Sequence, residues 1–166
     1  LQVALDDTRS QAPAAITVPK PPRPLGVLPH IPTGVDRATL DRIFSKLTEY
    51  PEGFTIRPKL GRQFETRAGI YADGEVDWAT AEALAVGSLV LEGHPVRLAG
   101  PDSRRGTFSQ RHAVFHDSEQ GKTYIPLQKL PQAKAAYEIH NSPLSEQAVL
   151  GFEFGYNVQE PARLVL

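Results

Sequence analysis

Apolar positions recur at helical spacing in several stretches of this 166-residue chain, with short apolar runs between them. From Asp36 to Leu47, the residues Leu40, Ile43, Phe44 and Leu47 share one helical face, and Thr33 or Asp36 is placed to cap it. Pro51-Glu52-Gly53 breaks the chain, and Phe54-Thr55-Ile56 is too short to assign. Leu60 to Ala72 reads as a second helix, ended by Asp73-Gly74. The stretch from Asp77 to Glu92 carries the strongest helical signal. Asp77 can cap its start, Gly93 can take the left-handed conformation at its end, and its middle is small and apolar on most sides, as in a buried helix. Gly87 and Ser88 within it predict close approach of another backbone or a ligand.

Pro95 to Ala99 follows as a strand, and this helix-then-strand order predicts α/β architecture. Further short strands are predicted at His112–His116, Thr123–Leu127 and Ala135–Ile139. Ser142 at a cap and Pro143 in the first helical position predict a helix running to about Tyr156. Pro161 stops anything further, and Arg163 to Leu166 begins an apolar strand that the chain end cuts off.

Proline divides the chain. Seven of the fifteen prolines fall before residue 33, and the run from Val18 to Pro24 favours extended polyproline conformation. Residues 1–32 therefore read as a linker, with a Pro-rich ligand for a partner groove as the alternative. Residues 33–72 form a helical lead-in. The chain begins with Leu1, contains no methionine and ends inside a predicted strand, so it is expected to be a piece of something longer.

Composition narrows the chemistry. Eighteen basic and nineteen acidic residues leave a net charge of −1, which disfavours a dedicated nucleic-acid binder. The absence of cysteine excludes a thiol nucleophile, a disulfide framework and a Cys-ligated metal. No apolar stretch approaches the ~20 residues of a membrane span. Nucleotide-loop and nucleophile-elbow patterns are absent. His112 and His116 would share one face of a strand, close to Asp117, but no third ligand has metal-site spacing. The loop from Gly100 to His112 is unusual: Arg104, Arg105 and Arg111 crowd around Gly106 with Thr107, Ser109 and His112. Guanidinium forks suit carboxylate or phosphate, and the loop follows the C-terminal end of a predicted strand, where open α/β sheets bind ligands. A solvated surface loop is the plain alternative. Glu146, in the first turn of its helix, is explained either by the helix dipole or by catalysis. Of the aromatic residues after it, Phe152 and Tyr156 share a helical face and Phe154 does not, so part of this aromatic content is expected in the core.

Three segments carry a resemblance: Gly74–Ala85 (GEVDWATAEALA), Val96–Val114 (VRLAGPDSRRGTFSQRHAV) and Ser142–Tyr156 (SPLSEQAVLGFEFGY). Together they resemble the thiamine-diphosphate-dependent decarboxylating component of 2-oxoglutarate dehydrogenase, in the flavour of the actinobacterial multifunctional 2-oxoglutarate decarboxylase. The resemblance covers residues 35–166, and less specifically the Pro-rich start, which is similar to the family's interdomain linker. It implies that residues 73–166 are the N-terminal part of a transketolase-like pyrimidine-binding domain, a parallel sheet flanked by helices.

The resemblance places the family's activating glutamate at Glu146. This carboxylate is then expected to hydrogen-bond a nitrogen of the cofactor's aminopyrimidine and promote the imino tautomer that takes the proton from the thiazolium carbon. Burial would suit that role by holding the carboxyl up against the helix dipole. Phe152, Phe154 and Tyr156 match the aromatic stretch beside the pyrimidine. Arg104, Arg105, Thr107, Ser109, Arg111 and His112 match a loop expected to shape the pocket or contact substrate. Two mild departures are Phe154, where tyrosine is usual, and Pro101, where a polar residue is common. The diphosphate-and-magnesium domain with its Gly-Asp-Gly motif is not in this sequence.

The implied activity is oxidative decarboxylation of 2-oxoglutarate with succinyl transfer to a lipoyl-bearing succinyltransferase component, in the tricarboxylic acid cycle. Thiamine diphosphate and Mg2+ are the implied cofactors, and the complete protein is expected to be a homodimer, with this chain inactive alone. Its place is the bacterial cytoplasm, or the mitochondrial matrix in a eukaryote, with no membrane or nucleic-acid partner. The alternatives are a non-catalytic partner-binding module derived from this family, and a thiamine enzyme acting on a related acid such as 2-oxoadipate.

Overall fold

A computed structural model describes residues 31–166. The Pro-rich linker expected over residues 1–32 lies almost entirely outside the described residues. Three helices come first. Helix α1 spans Arg37–Thr48, capped by Asp36, whose carboxylate accepts from the Thr39 N–H at 2.9 Å. Helix α2 spans Pro58–Ala72, with proline in its first turn. Helix α3 spans Trp78–Glu92. As expected, Asp77 caps α3 by accepting from the Thr80 N–H at 2.7 Å, and Gly93 ends it in the left-handed region at φ 106°.

Helix α3 is buried because α1 packs against it. Both are apolar where they meet, and the contact is close. A Cβ added to Gly87 would lie 2.6 Å from Cγ2 of Ile43, which is fully buried. The approach expected at Gly87 is thus to a side chain of α1. Gly87→Ala is expected to lower stability by about 1–3 kcal/mol, since a packed core yields little to an extra methyl. Chemical denaturation that shows no shift in midpoint would contradict this close packing.

Strand β1 (Val96–Gly100) follows α3 and becomes the centre of a parallel sheet. A short antiparallel pair, β2 (Phe115–His116) and β3 (Thr123–Tyr124), intervenes, then a 3₁₀ turn over Pro126–Lys129. Strand β4 (Tyr137–Asn141) pairs with β1 on one side. Helix α4 (Glu146–Gln159) leads to β5 (Leu164–Val165), which pairs with β1 on the other. The α/β class is as expected.

The strand period of two gives the sheet unlike faces. Val96 and Leu98 of β1 stand in register with Tyr137 and Ile139 of β4, and all four are buried in the main core with Ile43, Leu84 and Val90. Between them Arg97 stands in register with Glu138 and Val165. Helix α4 packs on β1 and β5 and meets Arg97 through ion pairs.

Several predicted boundaries are corrected. The residues 112–114 are not strand: the His112 φ of 46° is left-handed and breaks extension, so only Phe115 and His116 pair. His112 and His116 therefore do not share a strand face. The predicted strand to Leu127 stops at Tyr124, because Pro126 starts a 3₁₀ turn. The last helix is capped by Ser145, whose Oγ accepts from the Ala148 N–H at 3.3 Å, and runs to Gln159. Ser142 instead accepts from the Leu144 N–H at 3.2 Å, a local turn that holds Pro143 outside the helix.

Candidate active site

Strands β1 and β4 run side by side in the same direction, so their carboxyl ends open on one edge of the sheet. Open α/β sheets bind ligands at such an edge. Two segments leave from it: the arginine loop, residues 101–113, after Gly100, and the turn into α4 after Asn141. They are tied together there. The Arg104 N–H donates to Oδ1 of Asn141 at 2.9 Å, and the Ser142 N–H donates to the Gly100 carbonyl at 2.7 Å. Glu146 is the first residue of α4, directly after the Ser145 cap, and it is exposed. The burial that would suit its expected role is not supplied by the described residues.

The arginine loop is exposed at Arg104, Arg105, Thr107, Phe108 and Ser109, yet it is internally ordered. It is closed by its own backbone: the Gly106 N–H donates to the Asp102 carbonyl at 2.7 Å, and the N–H groups of Arg111 and His112 both donate to the Arg105 carbonyl at 2.9 Å. Three of its residues are left-handed: Gly106 at φ 84°, Ser109 at 55° and His112 at 46°. Strain of this kind persists only where the surroundings over-determine it. Here two arginines do so. Arg111 makes a double hydrogen bond to Glu82 of α3, at 2.5 and 3.0 Å, and a third to the Ser103 carbonyl at 3.0 Å. Arg67 of α2 bonds Asp77 at 2.9 Å and the Gln110 carbonyl.

The loop's six predicted residues thus separate by what they do. Arg111 is a structural brace, held strongly protonated by Glu82 despite its burial. Arg105 reaches Asp102 at 3.0 Å and Oγ of Ser109 at 3.1 Å, so both side chains are engaged within the loop. Arg104 and Thr107 are exposed. His112 is half-buried.

Burial, above all, holds the His112 imidazole below its ordinary range, with Arg67 and Arg105 adding to the effect and a hydrogen bond with the Ser109 backbone opposing it. His112 is therefore neutral at pH 7. The folded chain takes up this proton at lower pH than the unfolded chain does, whose histidine titrates near about 6.5. Stability owed to His112 is thus present above that pH and lost as pH falls. A titration by NMR of the imidazole should give an apparent value below that of free histidine; a value at or above it would contradict the burial argument.

The aromatic residues after Glu146 are also redistributed. Phe152 is 55% exposed and Phe154 is 72% exposed, so neither is in the core of this chain. Tyr156 is half-buried beneath two cations: Cζ of Arg97 lies 4.5 Å from its ring centroid and that of Arg163 at 5.9 Å. Helix α4 buries Val149 and Glu153 instead. Glu153 receives a double hydrogen bond from Arg97, at 2.7 and 3.0 Å. Arg97 also reaches Glu138 at 3.1 Å, and Arg163 pairs with Glu138 as well.

Arg97, Glu153, Glu82 and Arg67 were not legible as functional-site supports. Two signals pointed to the first pair: one charge inside an otherwise apolar strand at Arg97, and one charge between two phenylalanines at Glu153. Among the described residues no three His, Asp or Glu side chains are placed to hold a metal ion, and no helix is long and apolar enough to cross a membrane.

Residues 74–166 match the family model of the transketolase pyrimidine-binding domain. The 2-oxoglutarate dehydrogenase E1 component of Geobacillus kaustophilus is 47% identical over 148 residues, which is 88% of this chain and 16% of that protein. Proteins of the same description from Bacillus cereus and Bacillus anthracis are 47% identical over 142 residues, 85% of this chain and 15% of theirs. The chain spans about a sixth of the length of these curated relatives. A match over more than half the chain, on a parallel sheet whose carboxyl edge carries Glu146 and a braced arginine loop, means that this chain belongs to the transketolase pyrimidine-binding domain family.

Proposed function

We propose that this chain is the pyrimidine-binding part of a thiamine-diphosphate-dependent decarboxylating (E1) component of 2-oxoglutarate dehydrogenase. The observation that carries the reading is the placement of Glu146. It stands exposed at the N-terminus of α4, on the sheet edge shared with the arginine loop.

The residues suit the cofactor. An exposed carboxylate can accept a hydrogen bond from the ring N–H that an aminopyrimidine carries in its protonated form or imino tautomer, and Phe152 and Phe154 on the same helix offer exposed aromatic surface. When bound, thiamine diphosphate supplies the electron sink for decarboxylation. Glu146 would hold the ring N–H and so favour the tautomer of the pyrimidine that can accept a proton. The arginine loop, stiffened by Arg111 and Arg67, walls the pocket, with Arg104 and Thr107 facing outward. Tyr156, engaged beneath Arg97, serves the helix more directly than the cofactor.

The diphosphate and Mg2+ are assigned to a separate segment of the complete protein, across a homodimer contact that also buries Glu146. The reaction is oxidative decarboxylation of 2-oxoglutarate with succinyl transfer to the lipoyl group of the partner succinyltransferase, in the tricarboxylic acid cycle and the bacterial cytoplasm.

The test uses the complete protein with thiamine diphosphate and Mg2+, offered 2-oxoglutarate or 2-oxoadipate. The expected result is cofactor-dependent CO₂ release with kcat/KM favouring 2-oxoglutarate. Preference for 2-oxoadipate would move the reading to a related enzyme, and no cofactor-dependent release would leave a partner-binding module. Calorimetric titration of the 166-residue chain alone is expected to show no saturable micromolar binding of thiamine diphosphate.

A further inference from the structure

Helix α4 is fastened to its own sheet at few points. Its buried residues are Val149 and Glu153, and Tyr156 is half-buried. At 3.6 residues per turn these three and Glu146 fall within an arc of roughly 80° on the helix surface. Leu150, Phe152, Phe154 and Val158 are all exposed. The rotation of α4 about its axis, and with it the direction in which Glu146 leaves the helix, is therefore decided on the narrow face that carries Glu153.

What holds that face is directional. Burial of an apolar side chain lowers free energy without fixing an angle. A guanidinium and a carboxylate joined by two parallel hydrogen bonds lie in one plane and fix both distance and angle. Arg97 makes this contact to Glu153, at 2.7 and 3.0 Å. Arg97 is itself held from two further sides, by Glu138 at 3.1 Å and by the ring of Tyr156 at 4.5 Å. It stands at the centre of the sheet, on β1, between β4 and β5. The strand that ends in the arginine loop thus also sets the helix that begins at Glu146.

We infer that Arg97 and Glu153 are a positioning pair that orients helix α4 and thereby aims Glu146 into the site. The inference rests on the reading of Glu146 given above. Glu153 lies about 10 Å along the helix from Glu146, at 1.5 Å rise per residue, so it acts through the helix and not on the cofactor.

Three variants of the complete protein test this: Glu153→Gln, which keeps the shape and removes the charge; Arg97→Lys, which keeps the charge and removes the fork; and the double variant Arg97→Met, Glu153→Leu, which replaces the pair with apolar packing. The first readout needs no cofactor: hydrogen–deuterium exchange of the α4 amides over residues 148–151. The second is proton exchange at C2 of bound thiamine diphosphate, taken beside kcat and KM.

In every variant the amides of residues 148–151 are expected to exchange faster. C2 exchange and kcat are expected to fall together by roughly 10–100-fold, the scale of a misplaced catalytic group, while KM changes little. The double variant is expected to regain stability without regaining the rate. Parental C2 exchange and parental amide protection in Glu153→Gln and Arg97→Lys would overturn the inference, as would a double variant that recovers both stability and C2 exchange. Should the double variant not fold, the two single variants decide. Failure of the underlying reading is separate: Glu146→Gln with parental C2 exchange would remove Glu146 from the site whatever the pair does.

Discussion

Replacing Glu146 by Gln in the complete protein is expected to lower kcat for 2-oxoglutarate by about 10²–10⁴-fold, the range for loss of a group that promotes proton transfer. The protein should fold as before. Glu146 is exposed, and it contributes to α4 chiefly as an acidic residue in the first turn. That is worth about 0.3–1 kcal/mol at a surface position. The amide of Gln has nearly the same shape and can still accept a hydrogen bond through its carbonyl oxygen, but it cannot carry the negative charge that favours the proton-accepting tautomer. The two explanations of this residue thus separate cleanly. If its only role is to complement the helix dipole, the variant loses a little stability and keeps its rate. Steady-state turnover, with thermal denaturation in parallel, distinguishes them. Full activity in Glu146→Gln would end the catalytic assignment.

A second large effect belongs to the fold. Arg97→Met in this chain should lower the free energy of unfolding by about 3–5 kcal/mol, the cost of leaving a buried charge without its partner. Glu153 has only 9% of its side chain exposed, and Arg97 supplies its two hydrogen bonds. Glu138 suffers less, because Arg163 still reaches it. Adding Glu153→Leu should recover most of the loss, since a buried pair replaced by apolar groups of similar size is often neutral or better. Urea unfolding of the parent, both single variants and the double variant closes the cycle. A cost below about 1 kcal/mol for Arg97→Met would mean that solvent reaches Glu153, as at an exposed pair.

These expectations explain why α4 looks inverted. An ordinary surface helix turns apolar residues inward and charges outward. Here a glutamate faces the sheet, and Leu150, Phe152, Phe154 and Val158 face out. The expectation that some of these aromatics fill the core of this chain rested on the ordinary pattern. The polar face of β1 and β4 reverses it: Arg97 and Glu138 alternate with the buried Val96, Leu98, Tyr137 and Ile139, so the element packed over them must bring charge.

By itself the sequence determined the local elements of this protein. Asp36, one of two candidates, and Asp77 cap α1 and α3, Gly93 ends α3, and apolar spacing placed α1, because capping and amphipathic burial act within a few residues; α4 was placed by its cap and proline signals, three residues too early. It also singled out Glu146 and the arginine loop, by their resemblance to a family. Tertiary structure alone decided what those residues do within the chain. Whether an arginine braces the fold or is left to solvent depends on a carboxylate far away in the chain: Glu82 meets Arg111, while Arg104 is exposed. Likewise, no local pattern joins Arg97 to Glu153, which are brought within hydrogen-bonding distance only when α4 folds back on the central strand. Short-range preference writes the elements; ion pairing across them is set by which faces the folded sheet turns toward one another.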